Sequence, residues 1–518
     1  METNWGNGKK EQNGDRIINL PDPILHQILS SIDMKCVVQM SILSRRLRDL
    51  WTYLPYLNFD HELFPIEGNN KKEYFMDFVD RVIFARNGAT IQKFQLFGGS
   101  YCDFDRIDSW VGVAVRCKVQ ELHLNFSTRR PVLMLPHSLF TCKSLTVLKF
   151  NLGSDSNRPE LILPDSSALT GLKTLHLGSF SLVDGELAGK FFSSCPVLET
   201  LIITNCSLLT TTKDLHISAL QLKKLVIEIS VEDYEGFGHI QIFNGPVGCK
   251  IKISAPNLTS FRCRDYMARD YTIENICFPY NADMDLILKN QLDNELTALL
   301  SDSNELLSES KEIHAKYVVD WLGRFYDVKA LSLSSLFIWV ISDVRGIIEK
   351  GLPAPFFDLR YLKVKTTLYA VTIRGILYLL PRCPCIESLV FEIAGKNYRL
   401  SQIYQSWDEA KLNIPAKHYW ESLFPSQCSL NHLKSLEIWN LFGYMHEVVL
   451  LKFLLKNAPV LERLTIHPSD EWKYDEDNRL VEFGKELQTF PRASPSVKTL
   501  LLSPRSKPRP CVHRTANE

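Results

Sequence analysis

The sequence predicts an α/β chain, a small N-terminal three-helix module followed by an irregular solenoid with a curved parallel sheet and helices outside it. Three observations predict this. One short apolar phrase recurs through most of the chain, its early copies recur at a nearly constant spacing, and the residues before about position 60 lack it and carry three short amphipathic segments instead. Length alone, 518 residues, suggests roughly three to four globular domains. The repeat replaces that expectation with one quasi-one-dimensional array. Hydrophobic residues are 45% and charged residues 23%, the balance of a chain that buries a core. Lys+Arg and Asp+Glu are 59 each, so no global field exists to hold nucleic acid or an acidic membrane.

The N-terminal module comes first. Asp22 is a candidate N-cap and Pro23 suits the first helical position. Ile24, Leu25, Ile28 and Leu29 then make one apolar helix face. Asp33 caps a second helix with Val37, Met40 and Ile42/Leu43 inward, and Ser44 a third with Leu47, Leu50 and Trp51 inward. So small a core commonly leans on a partner.

The repeat phrase is apolar, two residues, apolar, one residue, apolar. It centres on Leu122, Leu148, Leu175, Leu201, Leu225, Phe261, Leu331, Leu362, Leu389, Leu436, Leu464 and Leu500, with a weaker copy at Phe94. The steps from Leu122 to Leu225 are 26, 27, 26 and 24 residues, inside the leucine-rich-repeat period. Steps of 70 (Phe261 to Leu331) and 47 (Leu389 to Leu436) require insertions or degenerate repeats. Each phrase reads as a strand whose alternating apolar residues point inward. Leu187 to Phe192 and Gly375 to Leu380 read as helical return segments ended by prolines. Ser127, Gly153 and Cys206 occupy the slot where an asparagine ladder would stand, so irregular turns are expected. In the longest gap, Leu292, Leu296, Leu299 and Leu300 with Asp293, Glu295, Asp302, Glu305, Glu309 and Glu312 suggest an amphipathic helix with an acidic face.

The residues between the phrase apolars line the concave face. The candidate target contacts there are His123, Lys149, His176, Arg262, Arg264, Lys363, Lys365 and Trp439. The two Arg and two Lys suggest a basic patch for an acidic or phosphorylated target, and Trp439 an anchor.

Catalytic and metal motifs fail when counted. Cys383-Pro384-Cys385 is the closest cysteine pair and has no histidine cluster beside it. Gly185 to Lys190 imitates a phosphate loop but is one residue short between its glycines, and Phe191 stands where a hydroxyl is needed. No cofactor, no metal and no enzymatic activity are expected. The 13 cysteines, scattered and often inside apolar runs, read as free thiols in a reducing cytoplasm and/or nucleus. The N-terminus shows no signal-peptide pattern, and the longest apolar run, Leu331 to Ile341, is too short for a membrane span.

Two segments resemble known modules. Leu20-Pro21, the Ile24/Leu25/Ile28/Leu29 helix and Leu43-Ser44-Arg45-Arg46 leading to Trp51 resemble an F-box. The likeness is to the plant F-box proteins with leucine-rich repeats, which usually have Trp where this chain has Leu47. His432-Leu433-Lys434-Ser435-Leu436-Glu437-Ile438, Phe442-Gly443 and the run from Leu450 to Ile466 resemble the FBD region that often ends such chains. The domain layout is then a disordered tail 1–14, an F-box 15–60 and a leucine-rich-repeat solenoid 61–415 with an insertion near 265–326. An FBD-like region 416–502 and a disordered tail 503–518 complete it.

The resemblance implies a non-catalytic substrate-recognition subunit of an SCF-type ubiquitin ligase. The F-box would dock a Skp-family adaptor, and through it a cullin and a RING subunit, while the repeats hold an unknown target protein for ubiquitination. Carried over residue by residue, the adaptor surface is Leu20, Pro21, Ile24, Leu25, Ile28, Val37, Leu43 and Leu47. A leucine-rich-repeat interaction scaffold or a small-molecule receptor outside a ligase are the alternatives.

Overall fold

The computed structural model describes residues 20–42, 47, 50–64, 69–86, 88–99, 102–153, 158–164, 169–182, 184–208, 214–229, 250–266, 271–274, 280–287, 305–343, 355–366, 368, 370–393, 430–470 and 479–502. Two units make up the chain, Met1–Leu222 and Lys223–Glu518.

The first unit opens with α1 (Asp22–Leu29) and α2 (Met34–Met40). The start of α1 differs from the expectation by one residue. Pro21, in an extended conformation, takes the N-cap place, and Asp22 lies inside the first turn, where its charge suits the helix dipole. Asp33 does cap α2, its Oδ1 accepting from Lys35 N at 2.7 Å. Its Oδ2 accepts from Asp60 N at 2.8 Å, so one carboxylate ties α2 to the first strand. Burial raises this carboxyl to about 6 against the two amide donors. Lys35 completes the tie, donating to Leu63 O at 2.5 Å and lying 4.7 Å over the Phe64 ring. Of the expected third helix, Leu47 and Leu50 are helical and Trp51–Tyr53 forms a 3-10 turn, while 43–46 and 48–49 lie outside the described residues.

The strands of this unit are β1 (Tyr56–Asp60), β2 (Lys93–Phe97), β3 (Glu121–Asn125), β4 (Val132–Met134), β5 (Val147–Asn151), β6 (Glu160–Ile162), β7 (Thr174–Gly178), β8 (Ser181–Leu182), β9 (Thr200–Leu208) and β10 (Leu215–Ser218). β1, β2, β3, β5, β7 and β9 form one parallel sheet in that order. The phrase centres Phe94, Leu122, Leu148, Leu175 and Leu201 are register partners, and all are 0–1% exposed. β4, β6 and β8 make a short second ladder after the turns. The slot without asparagines is filled otherwise: Ser127 and Cys206 are buried, and Gly153 adopts φ +77 where a Cβ would strike the Ser127 hydroxyl.

Three helices return the chain among the described residues of this unit. α3 (Asn69–Ala85) and α4 (Phe104–Arg116) were not expected; Arg106 joins them by pairing with Glu73, Asp77 and Asp80. Trp110 Nε1 donates to the second oxygen of Asp80 at 2.6 Å. α5 (Gly185–Ser193) is the expected Leu187–Phe192 segment, capped by Asp184, and Gly189 lets it approach the His216 carbonyl of β10.

The second unit has β11 (Lys224–Ile229), β12 (Ile251–Ser254), β13 (Ser260–Tyr266), β14 (Tyr271–Glu274), β15 (Asn281–Ile287), β16 (Ala330–Leu333), β17 (Tyr361–Thr366), β18 (Ser388–Ile393), β19 (Ser435–Leu441), β20 (Arg463–Pro468) and β21 (Lys498–Leu501). β11, β13 and β15 through β21 run parallel in chain order, and β12 pairs with β14 apart from them. β15 lies within the 70-residue gap and is a degenerate repeat: Ala282 and Met284 take the inward places of Leu. Of the acidic helix expected in this gap, the part up to Asp302 lies outside the described residues, while Glu305, Glu309 and Glu312 fall in α6 (Glu305–Arg324), whose Trp321, followed by Phe325, stacks with Phe261. The last phrase is corrected by one residue. Leu464 pairs with Thr499, so Leu500 faces outward at 51% exposure; a slip of one residue reverses every side chain of a strand.

α7 (Ser335–Asp343), α8 (Ala370–Leu379), α9 (Met445–Asn457) and α10 (Arg479–Thr489) are the return helices of this unit. Gly375 of α8 backs onto the Ile338 carbonyl of α7 so closely that a Cβ would overlap it. No described helix is long and apolar enough to cross a membrane.

Two substitutions test these contacts. Asp33→Ala removes a cap and the β1 tie; a loss of about 1–2 kcal/mol is expected, with faster hydrogen exchange at the Lys35 and Asp60 amides. Gly375→Ala should lower the melting temperature of the second unit, whereas Gly112→Ala, where a Cβ meets only the Arg116 side chain, should not lower it.

Candidate functional site

The N-terminal module divides the residues named from its sequence. Leu25, Val37 and Leu47 are 0%, 2% and 5% exposed, packed inside together with Leu29 and Met34. They hold α1 and α2 in place and are not open to direct contact. Leu20 is half-buried. Pro21, Ile24 and Ile28 are exposed on one side of α1, Ile24 at 45% and Ile28 at 38%. Leu43 lies outside the described residues. The sequence reading gave the four α1 apolars one face, and the structure divides it, because spacing of i, i+1, i+4, i+5 makes a stripe broader than one small core covers. Ile42, read as inward, is instead exposed at 84% and adds to the apolar surface.

The open face of each sheet is set by register. In the first unit Asn58, Gln95, His123, Lys149, His176 and Ile202 are successive partners. His123 Nδ1 lies 3.0 Å from Gln95 Nε2, and His176 Nε2 2.9 Å from Thr204 Oγ1. Burial first, then the Lys149 charge, lowers His123 to about 3 and His176 to about 4, so both are uncharged at neutral pH.

In the second unit the column runs Val226, Arg262, Asp283, Ser332, Lys363, Val390, Glu437, Thr465. Asp283, supplied by the degenerate strand, was missed by the phrase search and changes the chemistry. It lies 3.4 Å from Arg262 Nε and 3.2 Å from Lys365 Nζ. Glu228 lies 2.9 Å from Arg262, Asp285 3.8 Å from Arg264 and Glu392 2.6 Å from Lys363. The expected basic patch is therefore corrected: its four cations are each paired with carboxylates of other strands, Lys365 reaching Asp283 across β16. Val226, Ser332 and Val390 are buried under these side chains. Trp439 is half-buried and stacked on His467 at 3.5 Å, and His467 Nε2 lies 3.1 Å from Glu437 Oε1.

One more carboxylate stands out in the turn from β19 into α9. Glu447 is 2% exposed and accepts from the amides of Phe442, Gly443 and Tyr444 at 3.0, 2.7 and 3.1 Å. Burial nevertheless raises it to about 7. Cys383 is buried and donates to Leu379 O, and no described cluster of three or more His, Cys, Asp or Glu is placed to hold a metal.

The two imidazoles make an acid-sensitive element. Their folded values lie below that of a free histidine, so the stability they supply is complete above about 6.5 and is lost as pH falls toward 4 and then 3. Asp33 and Glu447, raised instead, act in the opposite direction, losing stability as pH rises toward 6 and 7. Urea midpoints of the wild type and of His123→Asn/His176→Asn, compared at pH 7 and pH 5, cancel the carboxylates. The wild type should lose on the order of 1–2 kcal/mol more per imidazole.

Comparisons with known proteins agree with this architecture. Family models match as an F-box domain over residues 17–58, the leucine-rich repeats of FBD-associated F-box protein At5g56370 over 107–290, and FBD over 421–466. FBD-associated F-box protein At5g56380 of Arabidopsis thaliana is 26% identical over 492 residues, 93% of this chain and 98% of its own. F-box/FBD/LRR-repeat protein At1g78750 of the same plant is 26% identical over 497 residues, 94% and 96%. F-box/FBD/LRR-repeat protein At5g56420, also of Arabidopsis thaliana, is 32% identical over 281 residues, 53% and 61%. With its F-box, its parallel repeat array and its FBD region in that order, the chain belongs to the plant F-box/leucine-rich-repeat proteins with a C-terminal FBD region.

Proposed function

We propose that the chain is the substrate-recognition subunit of an SCF-type ubiquitin ligase. The F-box docks a Skp-family adaptor, which brings a cullin and a RING subunit, and the repeats hold a target protein for ubiquitination. It works in the cytoplasm or the nucleus and supplies no catalytic group of its own. The carrying observation is exposed apolar surface, Pro21, Ile24 and Ile28 on one side of α1, on a module tied by Asp33 to the first strand of a repeat array. Exposed isoleucines on a module this small are surface that a partner covers.

Direct adaptor contact falls to Pro21, Ile24, Ile28 and the half-buried Leu20, with Leu43 assigned to the same surface by its place in the F-box pattern. Leu25, Val37 and Leu47 act from inside by fixing the two helices. Leucine at 47 fills that interior, so the tryptophan usual at this place in such proteins is not needed for the module to pack. The target-binding role goes to the open sheet faces carrying His123, Lys149, His176, Arg262, Arg264, Lys363, Lys365 and Trp439.

Co-expression with a Skp-family adaptor tests the reading. Ile24→Glu/Ile28→Glu changes only exposed side chains and should abolish co-purification while the circular dichroism spectrum and melting temperature stay unchanged. Retained capture by that variant would overturn the docking surface. Failure of the wild type to bring down cullin along with the adaptor would instead favour a scaffold outside a ligase.

A further inference from the structure

The open face of the first unit differs from that of the second in one respect. Its central column holds a single charge, Lys149, and no carboxylate. Lys149 has neutral His123 on one side and neutral His176 on the other, at the same register position of adjacent strands. The next column along the strands, Asn125, Asn151, Gly178 and Thr204, carries no charge either. Glu121, in the preceding column, lies 3.6 Å from Lys93 and 3.8 Å from His123 Nε2. Lys149 makes no ion pair with any described residue, whereas Arg262, Arg264, Lys363 and Lys365 all do.

Two polar atoms beside Lys149 are also buried without a hydrogen-bond partner, His123 Nε2 and Asn151 Oδ1. Gly178 sits next to Asn151 in the register, and a Cβ there would press on both Asn151 Oδ1 and Thr204 Oγ1. The glycine thus lets the Asn151 amide and the Thr204 hydroxyl close in on this part of the face.

We infer that this face receives an acidic segment of the target protein, with an Asp or Glu carboxylate seated on Lys149. The reasoning is one of desolvation. Any polypeptide covering the face removes Lys149 from water, and a buried ammonium without a counter-charge costs far more than a partner's apolar contacts return. A carboxylate opposite Lys149 turns that cost into a charge-assisted hydrogen bond. Neutral imidazoles on both sides bring no second cation to repel an approaching basic segment, so discrimination rests on Lys149 itself. The paired face of the second unit makes no such demand on a partner. This inference rests on the reading that the repeats hold a target, and it names that target's chemistry.

The test pans a random dodecapeptide display library on the immobilised full chain. Peptides enriched in Asp and Glu are expected, with the enrichment lost on Lys149→Met and inverted to Lys and Arg on Lys149→Glu. Lys143→Met removes the same charge at an exposed place outside these strands and should leave the selection unchanged. The strongest acidic peptide should bind about tenfold more weakly or worse to Lys149→Met, the size of one charge-assisted hydrogen bond. Selection of neutral or basic peptides by the wild type, or acidic selection that survives Lys149→Met, would overturn the inference. Adaptor capture by the same immobilised chain reads the ligase proposal separately, so the two can fail independently.

Discussion

No single repeat of this chain can bury its own leucines. A strand such as β5 points Leu148 and Phe150 to one side, and both become fully buried only because β3 and β7 place Leu122 and Leu175 at the same register. The hydrophobic gain belongs to the interface between repeats more than to any repeat alone. Register is consequently strict wherever the inward row continues. Among the described strands it departs at the β19–β20 pair, where it shifts between Trp439 and Leu441, and at β21, where Thr499 and not Leu500 stands opposite Leu464.

Strict register has a consequence on the opposite face. It sets side chains of successive strands directly across from one another, under 6 Å apart, where like charges repel. The second unit meets this with opposite charges, Glu228, Arg262, Asp283 and Lys365 forming a connected series. The first unit meets it with burial: His123 and His176 flank Lys149 but carry no charge at neutral pH. Similar strands therefore present a saturated surface in one unit and an unsaturated one in the other. Exposed pairs of this kind contribute little to stability, and their larger effect is on which partners can approach.

The row of leucines was legible because its period survives changes in everything between the strands. The column of open-face residues followed from it, and the structure places His123, Lys149 and His176 in one line, as it does Arg262, Ser332 and Lys363 with Asp283 between. The missing members had physical reasons to escape. Ala282 and Met284 fill inward places without giving the leucine pattern, so β15 and Asp283 with it stayed hidden. α3 and α4 are held partly by Arg106 with three acids and by Trp110 on Asp80, contacts that no local period announces. For α1, periodicity identified the helix and its apolar width. It could not say which isoleucines the two-helix core leaves uncovered, because that depends on α2 and on β1.

Under the proposed adaptor docking, the tie through Asp33 explains how that surface stays uncovered. A module of this size, left alone, gains little by exposing Ile24 and Ile28 and would relax to hide them. One buried carboxylate shared between the Lys35 amide of α2 and the Asp60 amide of β1, with Lys35 gripping the following turn, removes that freedom. The helices are oriented by the repeat array before any partner arrives. A partner docked on α1 as proposed would be coupled to the first strand through the Asp33 and Lys35 hydrogen bonds. Such preorganisation lowers the ordering cost of association. In the proposed docking mode Asp33, which would touch no partner, is the residue that makes docking geometrically dependent on the repeats.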